Sequence, residues 1–161
     1  MLIGICSDSH DHVKNIQKAV NIFKAREPAK VIHAGDFCSP FTVPLFDGLP
    51  LHAVFGNNDG DHFMLMKKFE EIGAEIQGDF FSFETNKLKF AVYHGTYDEI
   101  TRSLEKSGSY DVVISGHTHQ ANVETIGDTI SINPGSIHGF DQDSMIAFFD
   151  TATRNVEFKE I

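Results

Sequence analysis

Leu2-Ile3-Gly4-Ile5-Cys6-Ser7-Asp8-Ser9-His10 holds the unit from which the rest of the chain is read. An apolar run of strand length ends in a carboxylate and an imidazole two residues apart. Val13 to Lys24 then predicts a helix, because Ile16, Ala19, Val20 and Phe23 fall on one face. The same unit recurs along the sequence. Val31-Ile32 leads to Gly35-Asp36, and Ala53-Val54-Phe55 leads to Gly56-Asn57-Asn58-Asp59. Phe90 to Tyr93 leads to His94-Gly95, and Val112-Val113-Ile114 leads to Gly116-His117-Thr118-His119. A strand that ends in a ligand can aim it into a shared cleft, since the sheet fixes its position. Five such strands side by side bring together seven donors, Asp8, His10, Asp36, Asn57, His94, His117 and His119, which is enough for two metal ions.

The remaining elements follow from period and punctuation. Strands are expected at Val31 to His33 and Leu51 to Phe55, with a short helix over Thr42 to Asp47 after Pro40. Asp61 is placed to cap a helix running to about Ile72, with Leu65, Phe69 and Ile72 on one face. Phe81 and Phe83, then Leu88, Phe90 and Val92, alternate with polar residues across a turn at Asn86-Lys87. Thr96 and Glu99 are spaced as a capping box for a helix over Asp98 to Lys106. After a strand over Val112 to Ser115, Gly127-Asp128 marks a tight hairpin. A last hairpin pairs Met145 to Phe149 with Val156 to Lys159. Alternating strand and helix followed by hairpins predicts an α/β fold of two sheets packed face to face with helices outside. One doubly wound sheet is the alternative. Either places the site at the carboxyl ends of strands.

Composition narrows the function. At 161 residues the chain suits one domain, spanning 1–161, with a substantial core. No apolar run approaches membrane-span length, and the start lacks a basic n-region, so a cytoplasmic location is expected. Two cysteines make no disulfide framework: Cys6 reads as a small buried hydrophobe and Cys38 as a loop thiol near the site. A net charge of −10 without a Lys/Arg cluster counts against nucleic acid as a partner. Two divalent cations would make a locally positive site, suited to a small anionic substrate. The mixed carboxylate, imidazole and amide donors suit Mn²⁺, favoured here, or Fe²⁺, Zn²⁺, Ni²⁺ or Co²⁺.

In order, D-x-H (Asp8, His10), GD (Gly35-Asp36), GNxD (Gly56 to Asp59), HG (His94-Gly95), GHTH (Gly116 to His119) and NPGS (Asn133 to Ser136) resemble the calcineurin-like metallophosphoesterase superfamily. Within it the chain looks like the small single-domain phosphodiesterases of bacteria and archaea, over residues 2 to about 136. The resemblance implies a four-layer α/β/β/α sandwich of two mixed sheets flanked by helices. It also implies one metal on Asp8, His10 and His119, another on Asn57, His94 and His117, and Asp36 bridging them. Asp36, Asn57, Asn58 and His94 are then the expected catalytic positions. Two ions roughly 3.5–4 Å apart would activate a bridging water or hydroxide for in-line attack on a phosphate ester.

Asn58 departs from the pattern. Many members have His there, proposed to protonate the leaving group, and an amide does not serve in that role. A missing general acid typically costs about 10²–10⁴-fold. Good activity is therefore expected only on esters with acidic leaving groups.

Other residues have plainer readings. His33 is expected as a packed or supporting group. His12 is either a substrate contact or an exposed loop residue. His52, His62 and His138 have no assigned partner, with His62 and His138 the candidates to replace the missing acid. Asp59 either orients a ligand or forms a turn. Thr118 holds its loop, and Asn133 to Ser136 is either a plain turn or part of the site lining. Phe41, Phe46 and Phe140 are candidates for an exposed partner surface.

The expectation is thus a binuclear metal-dependent phosphodiesterase with an open site, acting on a small phosphate ester. A monoesterase is the nearest variant; a homo-oligomer is compatible with the sequence. The rival from another class is a protein-binding scaffold resembling the small subunit of retromer, and the weakest option is a metal-binding protein without turnover.

Overall fold

Residues 1–140 and 142–161 are described by a computed structural model. Strands β1 (Leu2–Cys6), β2 (Lys30–His33), β3 (Leu51–Ala53) and β4 (Glu75–Ile76) run parallel in one six-stranded sheet. Its other edge is the antiparallel pair β10 (Met145–Asp150) and β11 (Val156–Glu160), giving the order β11-β10-β1-β2-β3-β4. The second sheet has the order β5-β6-β7-β9-β8. It consists of β5 (Phe80–Thr85), β6 (Leu88–Tyr93), β7 (Val112–Ile114), β8 (Ala121–Ile126) and β9 (Thr129–Pro134). Its central strands β6, β7 and β9 are parallel and its edges antiparallel.

Side-chain alternation on β1 divides the interior in two. Ile3 and Ile5 point toward the second sheet and join Ile32, Val54, Phe90, Val92, Ile114, Ile132 and Phe149 in a core between the sheets. Cys6 points the other way, into a core shared with α1 (Val13–Arg26) and α2 (His62–Glu71). Gly4 lies on that outer face, where a Cβ would stand 2.7 Å from the Phe23 ring, so α1 packs against bare backbone. Helix α3 (Asp98–Lys106) covers the second sheet at β7 and β9, although none of its residues is buried. The layers are therefore helix, sheet, sheet, helix, as expected. Among the described residues no helix is long and apolar enough to cross a membrane.

Several local expectations change. The strands that carry ligands do not share one sheet: β1, β2 and β3 are in the first, and β6 and β7 in the second. β3 ends at Ala53, and the two-residue β4 extends that edge. The segment after Ser39 is a 3₁₀ helix over Pro40–Phe46, because Pro44 has no N–H to donate to an α-helical ladder. Phe46 is fully buried against His33 and Phe37, whereas Phe41 and Phe140 are exposed. The Thr96–Glu99 capping box does not form. Tyr97 occupies the N-cap with no side-chain bond, and its N–H goes to the Tyr93 hydroxyl. Asp61 does cap α2, accepting from the Met64 N–H at 3.0 Å.

Candidate metal centre

Each ligand loop leaves the carboxyl end of a parallel strand, and the two sheets bring these ends together. The backbone there is unusual. Asp8, His10, Asp36, His117 and His119 all have positive φ, between 41° and 67°. Non-glycine residues adopt this region at a cost of order 1–3 kcal/mol each, and such strain concentrates at functional sites. Tertiary hydrogen bonds hold it. Asp8 N–H donates to Gly35 O, His10 N–H to Asp36 O, and His117 N–H to Asp8 Oδ2, at 3.0, 3.1 and 3.0 Å.

Two glycines let these loops interlock. A Cβ on Gly56 would overlap Asp36 Oδ1, and one on Gly116 would overlap Ser7 Oγ and reach Asp8 Oδ2 at 2.6 Å. The glycines before Asn57 and His117 are thus needed for close approach rather than for a turn.

Around Asp8 and Asp36 the side chains converge. His10 Nε2 is 3.7 Å from Asp8 Oδ1 and 3.4 Å from Asp36 Oδ2. His94 Nε2 is 4.0 and 3.3 Å from the same two atoms. His119 Nε2 stands 3.3 Å from Asp8 Oδ1. His94 Nδ1 donates to Ala34 O at 2.7 Å, which leaves Nε2 to face the carboxylates. Asp8 Oδ1, His10 Nε2 and His94 Nε2 are buried without a hydrogen-bond partner. Buried polar atoms rarely lack partners, and three gathered beside Asp8 and Asp36 mark a pocket whose ligand atoms face cations rather than protein. The donor set fits divalent metal.

The electrostatics agree. Burial alone would raise the Asp8 carboxyl, but the imidazoles of His10 and His119 beside it and the field of His94 hold it far below the usual carboxylate range. Burial is likewise outweighed at Asp36, where His10 and His94 keep the carboxyl ionised. The carboxylates of Asp36 and Asp8 beside it raise His10 to about 9. Burial opposes a charge on His94, yet the same two carboxylates raise it. The pocket prefers positive charge between its carboxylates.

Asn57 and His117 join less directly. His117 sits beside His94, with ring centroids 5.2 Å apart. The Asn57 amide makes no hydrogen bond among the described residues and lines a cavity of about 200 Å³ next to Gly56. Asn58 donates through its backbone N–H to Asp36 Oδ1 and through Nδ2 to Asp36 Oδ2, both at 2.8 Å. It therefore clamps Asp36. Asp59 both makes the turn and supports the ligand, accepting from the N–H groups of Asp36, Cys38 and Gly56.

His33 is packed as expected. Its ring stacks on Phe37 at 3.7 Å and bonds Gly35 N–H and Ser9 Oγ. His12 caps α1, accepting from the Asn15 N–H. His62 donates to Asp59 O and stacks on Phe55, and His52 pairs with Lys30 and Glu75. Cys38 Sγ lies 3.4 Å from His10 Nδ1, and burial plus nearby carboxylates push its thiol up to about 12, so it stays protonated. Asn133 Nδ2 donates to Gly116 O and Thr118 Oγ1, so the NPGS segment holds the GHTH loop.

His138, one of three histidines the sequence left unassigned and a candidate acid, reaches the site. It is 4% exposed, its Nε2 lies 3.2 Å from His119 Nδ1, and its ring sits 4.7 Å from that of His10. His10, His119 and His138 offer candidate ligand atoms all within 4.8 Å of one another. A signal existed: Ile130 to Ile132 is another apolar strand, parallel to β7, and His138 follows its carboxyl end. Asn133-Pro134-Gly135-Ser136 stands between and hides the pattern.

Residues 1–154 match the calcineurin-like phosphoesterase superfamily domain, and the chain belongs to that family. It is a hydrolytic, metal-dependent phosphoesterase. It is 44% identical over 143 residues, 87% of this chain and 86% of the other, to a phosphodiesterase of Methanocaldococcus jannaschii. The solved structure of an archaeal phosphodiesterase is similar over 100% of both chains, with 39% identity and a TM-score of 0.95. Vps29 from Entamoeba histolytica has the same fold, with a TM-score of 0.74 over 100% of this chain and 98% of that one. At 17% identity that likeness shows the fold alone and does not favour a scaffold function.

Proposed function

We propose that residues 1–161 act as one domain holding two divalent cations, and that the domain hydrolyses phosphodiesters of small organic alcohols. Asp8, His10 and His119 would hold one ion, Asn57, His94 and His117 the other, with Asp36 between them. The carrying observation is the convergence of three partnerless buried donors, Asp8 Oδ1, His10 Nε2 and His94 Nε2, on the pair of carboxylates. When bound, the ions supply Lewis acidity to phosphoryl oxygens and acidify water for in-line displacement at phosphorus.

The chain's own groups set the geometry. Asn58 keeps both Asp36 oxygens oriented, Ala34 O holds the His94 ring, and Asp59 ties the Asp36 and Gly56 loops together. No imidazole stands at position 58 to protonate a departing alkoxide. Mn²⁺ is the favoured ion, with Fe²⁺, Zn²⁺, Ni²⁺ and Co²⁺ suited to the same donors. A small anionic ester in the cytoplasm suits an acidic chain with a locally cationic site. The similarity to the Methanocaldococcus protein supports the diester over the monoester.

Hydrolysis of bis-(p-nitrophenyl) phosphate with Mn²⁺, before and after chelation, tests this reading. Turnover should vanish with the metal and return on adding it back. Turnover that survives chelation would refute metal dependence, and none with any of these ions would favour a binding protein.

A further inference from the structure

The cavity beside Asn57 has features the phosphoryl site does not use. Phe55, Gly56, Asn57, Asp79, Tyr93 and Thr96 line it together with Tyr97. Gly56 backs directly onto Asp36, so the cavity adjoins the carboxylate placed between the two ions. Phe55 and Tyr93 are 6% and 7% exposed and contribute apolar walls fixed by the core. Tyr97 is 63% exposed, and its ring and hydroxyl have no stacking or hydrogen-bond partner among the described residues. The side-chain oxygens of Asp79 and Thr96 also have no hydrogen-bond partner among those residues. At about 200 Å³ the space lies below the ~300–1,000 Å³ that encloses a drug-sized ligand, so one ring fills it.

We propose that this cavity receives one esterified arm of the substrate and selects a planar aromatic or heteroaromatic ring bearing a hydrogen-bond donor. The ring lies against Tyr97 and the donor reaches Asp79. Tyr97 offers an aromatic face that costs little entropy to use, and an ionised carboxylate accepts but does not donate. Asp79 accordingly disfavours an arm that is itself anionic. This inference rests on the phosphodiesterase reading and names the alcohol component that reading leaves open.

Four diesters without a good leaving group test it: dimethyl, methyl phenyl, methyl 3-aminophenyl and methyl 3-carboxyphenyl phosphate. Each has at most one aryl arm, which can seat in either orientation at phosphorus. Dissociation constants are read by NMR titration of Zn²⁺-loaded protein. The aminophenyl ester should bind tightest, then phenyl, with dimethyl and carboxyphenyl weakest. Tyr97→Ala should cut the phenyl-over-dimethyl preference at least about threefold. Asp79→Asn should erase the aminophenyl-over-carboxyphenyl preference. Equal binding of all four, or ratios unchanged in both variants, would overturn the pocket. Because binding is read without turnover, failure to hydrolyse bis-(p-nitrophenyl) phosphate would sink the phosphodiesterase reading separately. Both side chains are exposed, so neither substitution removes core packing.

Discussion

Asn58 Nδ2 donates to Asp36 Oδ2 at 2.8 Å, and that oxygen also faces His10 Nε2 and His94 Nε2. The position where many relatives would carry an acid instead carries a clamp. Asn58→His should therefore have two opposed effects. Rates should depend less steeply on leaving-group pKa, because an acid has been supplied. Metal affinity should fall about 10–100-fold, because Asp36 loses a supporting donor. Initial rates on a series of aryl methyl phosphates, with a metal titration alongside, check both. An unchanged slope would remove the account of Asn58 as a missing acid.

Asp36 Oδ2 lies 3.4 Å from His10 Nε2 and 3.3 Å from His94 Nε2, so on the proposed two-ion reading Asp36→Ala should remove the ligand shared by both ions. Elemental analysis is expected to show at most one ion retained per chain, with turnover down at least about 100-fold, the upper loss typical of a mere supporting residue. Wild-type turnover with one ion bound would defeat the bridging assignment.

His138 Nε2 lies 3.2 Å from His119 Nδ1, a ligand of one proposed ion. His138→Ala should weaken one ion's binding about 10–100-fold and spare the other. A two-site Co²⁺ titration followed by absorbance separates the two affinities. Equal weakening of both sites would instead indicate general damage to the loop.

Burial lowers His33 to about 3, against an ordinary value of 6.5. The unfolded chain therefore takes up this proton first as pH falls. The stability associated with neutral His33 is complete above pH 6.5 and is lost as pH drops toward 3. In chelated protein the slope should approach about 1.4 kcal/mol per pH unit between pH 6 and 5. His10 and His94 are raised by their carboxylates, so they shift the opposite way and oppose this slope. His52 shifts in the same direction as His33, so the comparison is with His33→Gln, which should flatten the urea-denaturation profile. A profile equally steep in the variant would remove His33 from the account.

The chemistry-bearing residues were legible because their signals are local. Leu2 to Cys6 and Val112 to Ile114 are apolar runs of strand length, and a ligand just past a strand end inherits the strand's position. The helix over Val13 to Arg26 shows the same economy, since a 3.6-residue period is written within two turns. Phe46 failed as a surface candidate because its burial depends on His33 and Phe37, which reach it only through the fold. The helix over Asp98–Lys106 formed as expected, but the Thr96 capping box did not, because Tyr97 is the N-cap and its N–H goes to the Tyr93 hydroxyl.

From residue types and their order alone came the strand-ligand alternation, the donor set and the placement of the site at strand ends. Strand pairing over long separations decided that β6 and β7 belong to a second sheet facing the first. The same closure pressed Asp8, His10, Asp36, His117 and His119 into left-handed backbone, turned Asn58 onto Asp36, and delivered His138 to His119. These features rest on contacts between residues distant in the chain, and so they come into being only when the two sheets meet.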